Sequence, residues 1–282
     1  MASLVLDASV PDADPASRPK VGKFRKPVPP TFDDPVERRQ YFKGRLALAA
    51  RIMDGEGWGV GCSVGLSCRD PNQADLVWVI PRGKPLRAMG SMDLIGVRLD
   101  GSIAHPVEGR EQWTSLHLVI YAVRPDMGGI ATGHTPHARV FSSRLERPKM
   151  CWQDSCTFYK RIHPLPFELA LDPVSNAGKI AETLGTNGKG LILQHRGLLL
   201  CSATIEGALG YYIRLENLLG GQLLVESACK GLGQDKDKEM IEIGEEEIQF
   251  TFDNVGSEHH AWMLAMPYYS RYDRKTGGAM KV

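Results

Sequence analysis

The stretch IATGHTPH, residues 130–137, is the most informative part of this sequence. Its first three residues are small or β-branched and predict a strand. Thr135 and Pro136 predict the start of a helix, because threonine caps helix N-termini and proline fits the first helical position. His134 therefore stands where a strand passes into a helix, a position that often carries functional side chains in α/β proteins.

A second apolar segment, Leu191 to Gln194, predicts another strand, and it too ends at a histidine, His195, which Arg196 follows. An arginine side chain carries a permanent charge and a planar fork of donors that can hold an anionic group such as a carboxylate. A histidine with its free pKa of about 6.5 transfers protons near neutral pH. We expect His134, His195 and Arg196 to form a catalytic site.

Strands and helices follow one another along the chain without an internal repeat, which predicts an α/β domain around a largely antiparallel sheet. This domain is expected over residues 34–230, beginning with a helix at Asp34 and Pro35. Residues 1–33 are rich in Pro, Asp, Lys and Ser and are interpreted as a flexible N-terminal arm. Residues 231–282 are interpreted as a charged linker and an aromatic tail that packs on the domain or on a neighbouring subunit.

Individual elements are expected from periodicity and from turn residues. The expected helices cover 34–53, 113–123, 135–143, 176–184 and 203–229, and the expected strands 64–68, 76–80, 94–99, 130–132 and 190–194. An irregular stretch is expected from about residue 143 to residue 166.

The composition limits the classes of function. The 282 residues are 43% hydrophobic and 24% charged, with a net charge of +1, which argues against a dedicated nucleic-acid surface. No apolar run approaches the roughly 20 residues of a membrane helix, and the first residues do not form a secretory signal. The six cysteines lack zinc-ribbon spacing and are expected to be reduced. We expect a cytoplasmic protein with a small-molecule substrate and no nucleic-acid or membrane partner.

Six segments occur in one order along the chain, and together they carry a resemblance to a known family. They are Leu66–Pro71, Asp93–Gly101, His117–Asp126, Gln153–Tyr159, Leu193–Leu199 and Gly256–Tyr269. From about residue 40 to residue 272 the chain resembles the class II aldolase/adducin family, in its larger branch that is common in filamentous fungi. The resemblance implies a three-layer α/β/α fold whose central, mainly antiparallel sheet is flanked by helices. It also implies a homo-oligomer, a tetramer with active sites between subunits.

The resemblance also locates the family's metal site. There a His-x-His pair and the histidine of an Asn-His-Gly turn hold a divalent metal, and a glutamate on the preceding helix takes part in catalysis. The pair falls on Thr132 and His134, the turn on His195 and Arg196, and the glutamate near Trp113. A hydroxyl and a guanidinium thus replace two imidazoles, and a metal site needs about three good donors. We expect no metal cofactor.

The site expected from the residues and from the resemblance has a catalytic and a substrate-binding set. The catalytic side chains are His134, His195 and Arg196, and the substrate-binding ones are Trp113, Thr132, His137, Asp154 and Tyr159. Two alternatives remain open. A divalent metal such as Zn could sit at His134, His137 and His195, or Arg196 could be a structural residue paired with Asp154 or Glu206. His117 is interpreted as a packed helical histidine. The tail tyrosines 268, 269 and 272 either pack or enter a neighbouring subunit's site.

Three functions are therefore compared. The expected one is a metal-independent, aldolase-like lyase, isomerase or cyclase that forms an enolate-type intermediate from a small oxygenated substrate. The resemblance to the fungal branch implies specialised (secondary) metabolism as its setting. The first alternative is a non-catalytic, adducin-like protein that oligomerises or binds partners. The second alternative is a metal-dependent class II aldolase with relocated ligands.

Overall fold

The structure is a computed structural model that describes residues 27–59, 61, 63–109, 114–231 and 240–275. Most of the expected arm (1–26), the segment with Trp113 (110–113) and most of the charged linker (232–239) lie outside the described residues.

The described residues form eight α-helices and eight strands. The helices are α1 (Pro35–Gly55), α2 (Ser115–Val123), α3 (Pro136–Phe141), α4 (Phe167–Leu171), α5 (Ala177–Leu184), α6 (Ile205–Gly231), α7 (Glu245–Val255) and α8 (Glu258–Lys275). The strands are β1 (Gly65–Arg69), β2 (Leu76–Val79), β3 (Ile95–Arg98), β4 (Ile103–His105), β5 (Gly129–Gly133), β6 (Ile162–Leu165), β7 (Gly190–Leu193) and β8 (Gly197–Ser202).

The eight strands form one sheet in the order β4-β3-β2-β1-β5-β8-β7-β6. Every neighbouring pair is antiparallel except β6 and β7, which run parallel. The predicted mainly antiparallel sheet is therefore confirmed. Strands β5 and β8 lie side by side in the middle of the sheet, with Thr132 opposite Leu199 and Gly133 opposite Leu198.

Helices cover both faces of the sheet and bury its alternating side chains. On one face, Ala131, Leu198 and Leu200 join a core with α1, α6 and α8. On the other face, Ile130 and Leu199 join a second core with α2 and α5. Two separate cores on one sheet are what a three-layer α/β/α fold produces, so the expected fold class is confirmed.

A largely buried cation joins the three helices of the first layer. Arg45 on α1 makes an ion pair with Glu206 on α6, with 2.8 Å between Nε and Oε1. The ring of Tyr269 on α8 lies over the Arg45 guanidinium, 3.6 Å from its central carbon, and the Tyr269 hydroxyl donates to the Arg45 carbonyl. Because a buried charge is costly without partners, this cluster fixes how α8 packs on α1 and α6.

Both ends of the described chain contact this layer. The carbonyl oxygen of Pro27, in the expected arm, lies 2.7 Å from His259 Nε2 at the start of α8, and the ring of Phe32 lies 4.9 Å from that of Tyr41. In the tail, the Tyr272 hydroxyl lies 3.3 Å from Glu56. The described part of the arm and the tail tyrosines thus pack on their own subunit.

The observed elements differ from the expected ones in three strands and in helices α4, α7 and α8. Strands β4, β6 and β8 were not expected, and the stretch interpreted as irregular contains β6 and a 3₁₀ helix at Gln153–Phe158. Helix α1 begins as predicted, with the side chain of Asp34 accepting from Val36 N at 2.9 Å and proline in the first turn. No helix among the described residues is long and apolar enough to cross a bilayer.

The first prediction concerns Gly197, which has a φ of +135°, where a Cβ atom would lie 2.3 Å from the Gly133 carbonyl oxygen. We expect Gly197→Ala to lower the free energy of unfolding by at least about 2 kcal/mol, because backbone strain and overlap add. The control is Gly101→Ala, which has a φ of +89° but open space around its Cβ, and should cost about 1 kcal/mol. Urea denaturation measures both variants, and equal losses would contradict the expectation.

Candidate active site

The ends of β5 and β8 bring two charged side chains together. His134 directly follows β5, and Arg196 directly precedes β8. At Gly197 the two backbones approach so closely that a Cβ atom would lie 3.2 Å from the His134 Cα atom. Thr132 lies near the end of β5, two residues before His134. We call Thr132, His134 and Arg196 the strand-end site.

The strand-end site combines an imidazole with a fixed cation. Burial and the positive charges of Arg196 and Arg139 lower the pKa of His134, so its ring is neutral at neutral pH. Burial also lowers the pKa of Arg196, but a guanidinium remains charged. Arg196 donates from Nη1 to the Ala170 carbonyl at 3.0 Å. The guanidinium makes no other hydrogen bond to a described residue, so most of its donors are available to a ligand.

Thr132 connects this site to a buried polar chain. Its hydroxyl lies 2.6 Å from His117 Nε2 on α2, and His117 Nδ1 lies 2.8 Å from the Ser67 hydroxyl on β1. The Tyr121 hydroxyl lies 3.1 Å from the Ser67 hydroxyl. Burial lowers the pKa of His117 to about 4, so it stays neutral. His117 is a packed helical histidine as interpreted, but its contact with Thr132 was missed.

The structure places His137 in a different environment from the one expected. Glu216 on α6 is buried and accepts hydrogen bonds from the backbone N–H groups of His137 and Ala138, each at 2.9 Å. It also accepts from the Thr135 hydroxyl at 2.5 Å. The His137 ring, 51% exposed, lies 3.3 Å from the same carboxylate. The N-terminus of α3 is thus satisfied by a carboxylate of the protein itself. The sequence did not indicate Glu216.

His195 adopts a left-handed backbone conformation, with a φ of +60°. This conformation is uncommon for residues other than glycine and is best tolerated by Asn, Asp and His. Its backbone N–H donates to the Ser142 carbonyl at 2.9 Å, and its exposed ring lies 5.8 Å from the ring of Phe167. The contacts among described residues therefore do not join His195 to His134.

Asp154 and Tyr159 contact other elements. Asp154 makes an ion pair with Arg214 on α6 at 3.1 Å, and the Tyr159 hydroxyl donates to Glu245 on α7. Neither contact involves the strand-end site. Asp154 pairs with Arg214, and Glu206 pairs with Arg45. The alternative in which Arg196 pairs with Asp154 or Glu206 is therefore wrong.

Asp154 instead lines a groove of about 560 Å³ between α6 and α8. Trp152, Arg214 and Tyr268 line it as well, and no residue of the strand-end site does. The volume of this groove lies within the range of roughly 300–1,000 Å³ that is common for ligand pockets. The strand-end site has the stronger chemical case, because it pairs an imidazole of lowered pKa with a cation whose donors remain available.

This architecture is that of a known family. Residues 44–223 match the Class II Aldolase and Adducin N-terminal domain, and the chain belongs to the class II aldolase/adducin family. A solved structure of an L-fuculose 1-phosphate aldolase from Glaciozyma antarctica PI12 has a TM-score of 0.78 and 32% identity, covering 89% of this chain and 96% of that one.

Two curated relatives come from Streptomyces. Decarboxylase NovR of Streptomyces niveus is 29% identical over 260 residues, which cover 90% of this chain and 91% of NovR. The 4-hydroxy-3-prenylphenylpyruvate oxygenase/4-hydroxy-3-prenylbenzoate synthase of Streptomyces roseochromogenus subsp. oscitans is 29% identical over 219 residues, or 76% of this chain and 77% of that protein. A decarboxylase and an oxygenase/synthase are therefore among the relatives of this chain.

The described residues at the strand-end site do not fit the divalent metal that the family implies. The Thr132 hydroxyl already contacts His117, and the Arg196 guanidinium would repel a cation. No group of three His, Cys, Asp or Glu side chains suited to a metal occurs in the part of the chain that the structure describes. The alternative ligand set of His134, His137 and His195 is therefore not assembled, because His137 contacts Glu216 and His195 contacts Phe167.

The second prediction tests the coupling between His134 and Arg196. We expect Arg196→Ala to raise the pKa of His134 toward its usual value of about 6.5, because a repelling charge is removed. Arg196→Lys keeps the charge and should keep most of the lowered pKa. Histidine resonances followed by NMR over pH 4–8 measure the effect, with His163 as an internal control. A pKa of His134 that is the same in all three proteins would contradict the coupling.

Proposed function

We propose that this protein is a metal-independent carbon–carbon lyase that acts through an enolate on a small oxygenated substrate. The observation that supports this most directly is the neutral His134 beside the charged Arg196 at the ends of β5 and β8. Such a pair offers a base and an anion-holding group within one site.

The proposed chemistry is clearest for a retro-aldol cleavage. His134 accepts the proton of the substrate's β-hydroxyl group as the bond between the α- and β-carbons breaks and a new carbonyl forms. The bonding electrons move onto the existing carbonyl, and Arg196 holds the resulting enolate oxygen. The protonated His134 then returns its proton to the α-carbon, so that the enzyme ends in its starting state. Isomerisation and ring closure can proceed from the same enolate.

Arg196 takes over part of the duty of a metal in this proposal. A divalent ion would stabilise the enolate with two charges, and the guanidinium supplies one, together with directed hydrogen bonds. One such donor contributes about 10²- to 10³-fold to the rate of enzymes that stabilise an oxyanion. His195 remains a predicted catalytic residue that would approach the substrate from its exposed position.

The relatives guide the proposed setting. A decarboxylase and a prenylbenzoate synthase are similar over three quarters or more of the chain, which supports a role in specialised metabolite biosynthesis. A homo-oligomer, with a tetramer as the predicted form, belongs to the same proposal. Most soluble oligomers are homo-oligomers with closed symmetry, which agrees with this proposal.

A non-catalytic role is the second candidate. Human gamma-adducin is 24% identical over 219 residues, which cover 74% of this chain and 31% of adducin. A non-catalytic protein has no turnover, so substitutions at the strand-end site could not lower an activity. They would act on assembly alone.

The third prediction separates these functions by activity. The test is a panel of β-hydroxy carbonyl compounds and 2-oxo acids, assayed for carbonyl products and released CO₂. We expect His134→Gln and Arg196→Gln to lower kcat/KM by at least about 100-fold, since each removes a group that acts on the enolate. The matched controls, His163→Gln and Arg98→Gln, replace the same residue types elsewhere and should stay within twofold.

Metal removal completes this test. Dialysis against EDTA should leave the activity unchanged. Loss of activity that zinc or manganese restores would favour a metal-dependent aldolase instead. No turnover of any compound by the intact protein, together with altered oligomer size in His134→Gln and Arg196→Gln, would favour the adducin-like role.

A further inference from the structure

We infer that Thr132 donates a hydrogen bond to a carbonyl or carboxylate oxygen of the ligand, and that the buried His117 makes this possible by donating its own Nε2 proton to Thr132. His117 is thus a positioning residue, and Thr132 is the group that touches the ligand. The inference rests on the proposed function only in placing a ligand at the strand-end site.

The first step is a count of protons at Thr132. A threonine hydroxyl has one proton and can direct it to one partner. Thr132 Oγ1 lies 2.6 Å from His117 Nε2, so one of the two atoms donates to the other. If Thr132 donates to His117, it can only accept from a ligand. If His117 donates, the hydroxyl proton of Thr132 is available to a ligand.

The second step is that the buried chain accommodates a proton on Nε2. His117 Nδ1 is then an acceptor, and the Ser67 hydroxyl, 2.8 Å away, can donate to it. The Tyr121 hydroxyl donates to the Ser67 carbonyl at 3.1 Å and so does not need the Ser67 proton. Every buried polar atom of the chain keeps a partner, which is the condition for a stable buried network.

The opposite arrangement is also satisfied in the absence of a ligand. His117 Nδ1 can donate to Ser67, which donates to the Tyr121 hydroxyl 3.1 Å away, while Thr132 donates to Nε2. The chain therefore has two proton arrangements that differ in the tautomer of one histidine. A ligand that interacts differently with the two arrangements selects one of them.

The third step is the charge of Arg196, which acts on the neighbouring His134. Arg196 carries only donors and a positive charge, so it attracts ligands that present acceptor oxygens to this site. An acceptor oxygen that also reaches Thr132 requires a donor there, because two acceptors facing each other without a proton lose their hydrogen bonds. The ligand thereby selects the arrangement in which His117 carries its proton on Nε2.

The ligand class that this arrangement favours is a 2-oxo acid or a related carbonyl compound. Its carboxylate and its adjacent carbonyl oxygen match the guanidinium donors of Arg196 and the hydroxyl donor of Thr132. A ligand that presents only an ammonium or a hydrocarbon group leaves both donors without partners, which is costly in a half-buried site.

The fourth prediction is a binding experiment with pyruvate as the probe, which requires no turnover. Titration of the full-length protein, followed by calorimetry, should show binding that Arg196→Gln abolishes. Thr132→Val should weaken pyruvate binding about 10-fold, since it removes one hydrogen bond to a charged ligand and keeps the shape of the side chain. Thr132→Ser should stay within threefold. The control Thr183→Val removes a hydroxyl that contacts only the Lys179 carbonyl on α5 and should have no effect.

The tautomer of His117 gives the second readout. In protein labelled with ¹⁵N histidine and saturated with pyruvate, NMR should show the proton of His117 on Nε2. A proton on Nδ1 in this complex would overturn the inference, as would wild-type protein that does not bind pyruvate. Binding that needs Arg196 but is unchanged in Thr132→Val would also overturn it and would leave the proposed lyase function standing. Failure of that function appears separately, as lack of turnover.

Discussion

The contact between the backbones of β5 and β8 at Gly197 is the constraint on which the candidate site depends. Only glycine fits there, because a side chain would overlap the Gly133 carbonyl. This close contact between the two backbones places His134 and Arg196 at the same edge of the sheet, although they are 62 residues apart in the sequence. The positions of these two residues are therefore fixed by the sheet that precedes or follows them, and less by a long flexible loop.

The electrostatics of the site follow from this placement. A permanent cation beside a half-buried imidazole holds that imidazole neutral, and the same cation favours anionic ligands. The neighbouring helix start adds little to the attraction, because Glu216 already neutralises the N-terminus of α3. Selectivity for an anion therefore depends mainly on Arg196, and Arg139 adds a second positive charge near His134. A buried network reaching Thr132 supplies the adjacent polar contact.

The sequence predicted those features that local patterns encode. Asp34 and Pro35 indicated the start of α1, and the apolar run before His134 indicated β5. The order of the family's motifs along the chain indicated the fold class. Strand β8 was missed because all six of its residues are buried, so it has no alternating pattern. Partners far apart in sequence were also missed, such as Glu216 beside Thr135 and Glu245 beside Tyr159, since no local pattern specifies them.

The cluster of Arg45, Glu206 and Tyr269 has a consequence for synthesis on the ribosome. Helices α1 and α6 emerge before α8, so the ion pair between Arg45 and Glu206 lacks its aromatic cover until the last described helix is translated. A charged pair half exposed between two apolar helices stabilises a nascent layer weakly. Completion of this layer is therefore expected to wait for α8, and until α8 packs, its apolar docking surface is open to chaperones.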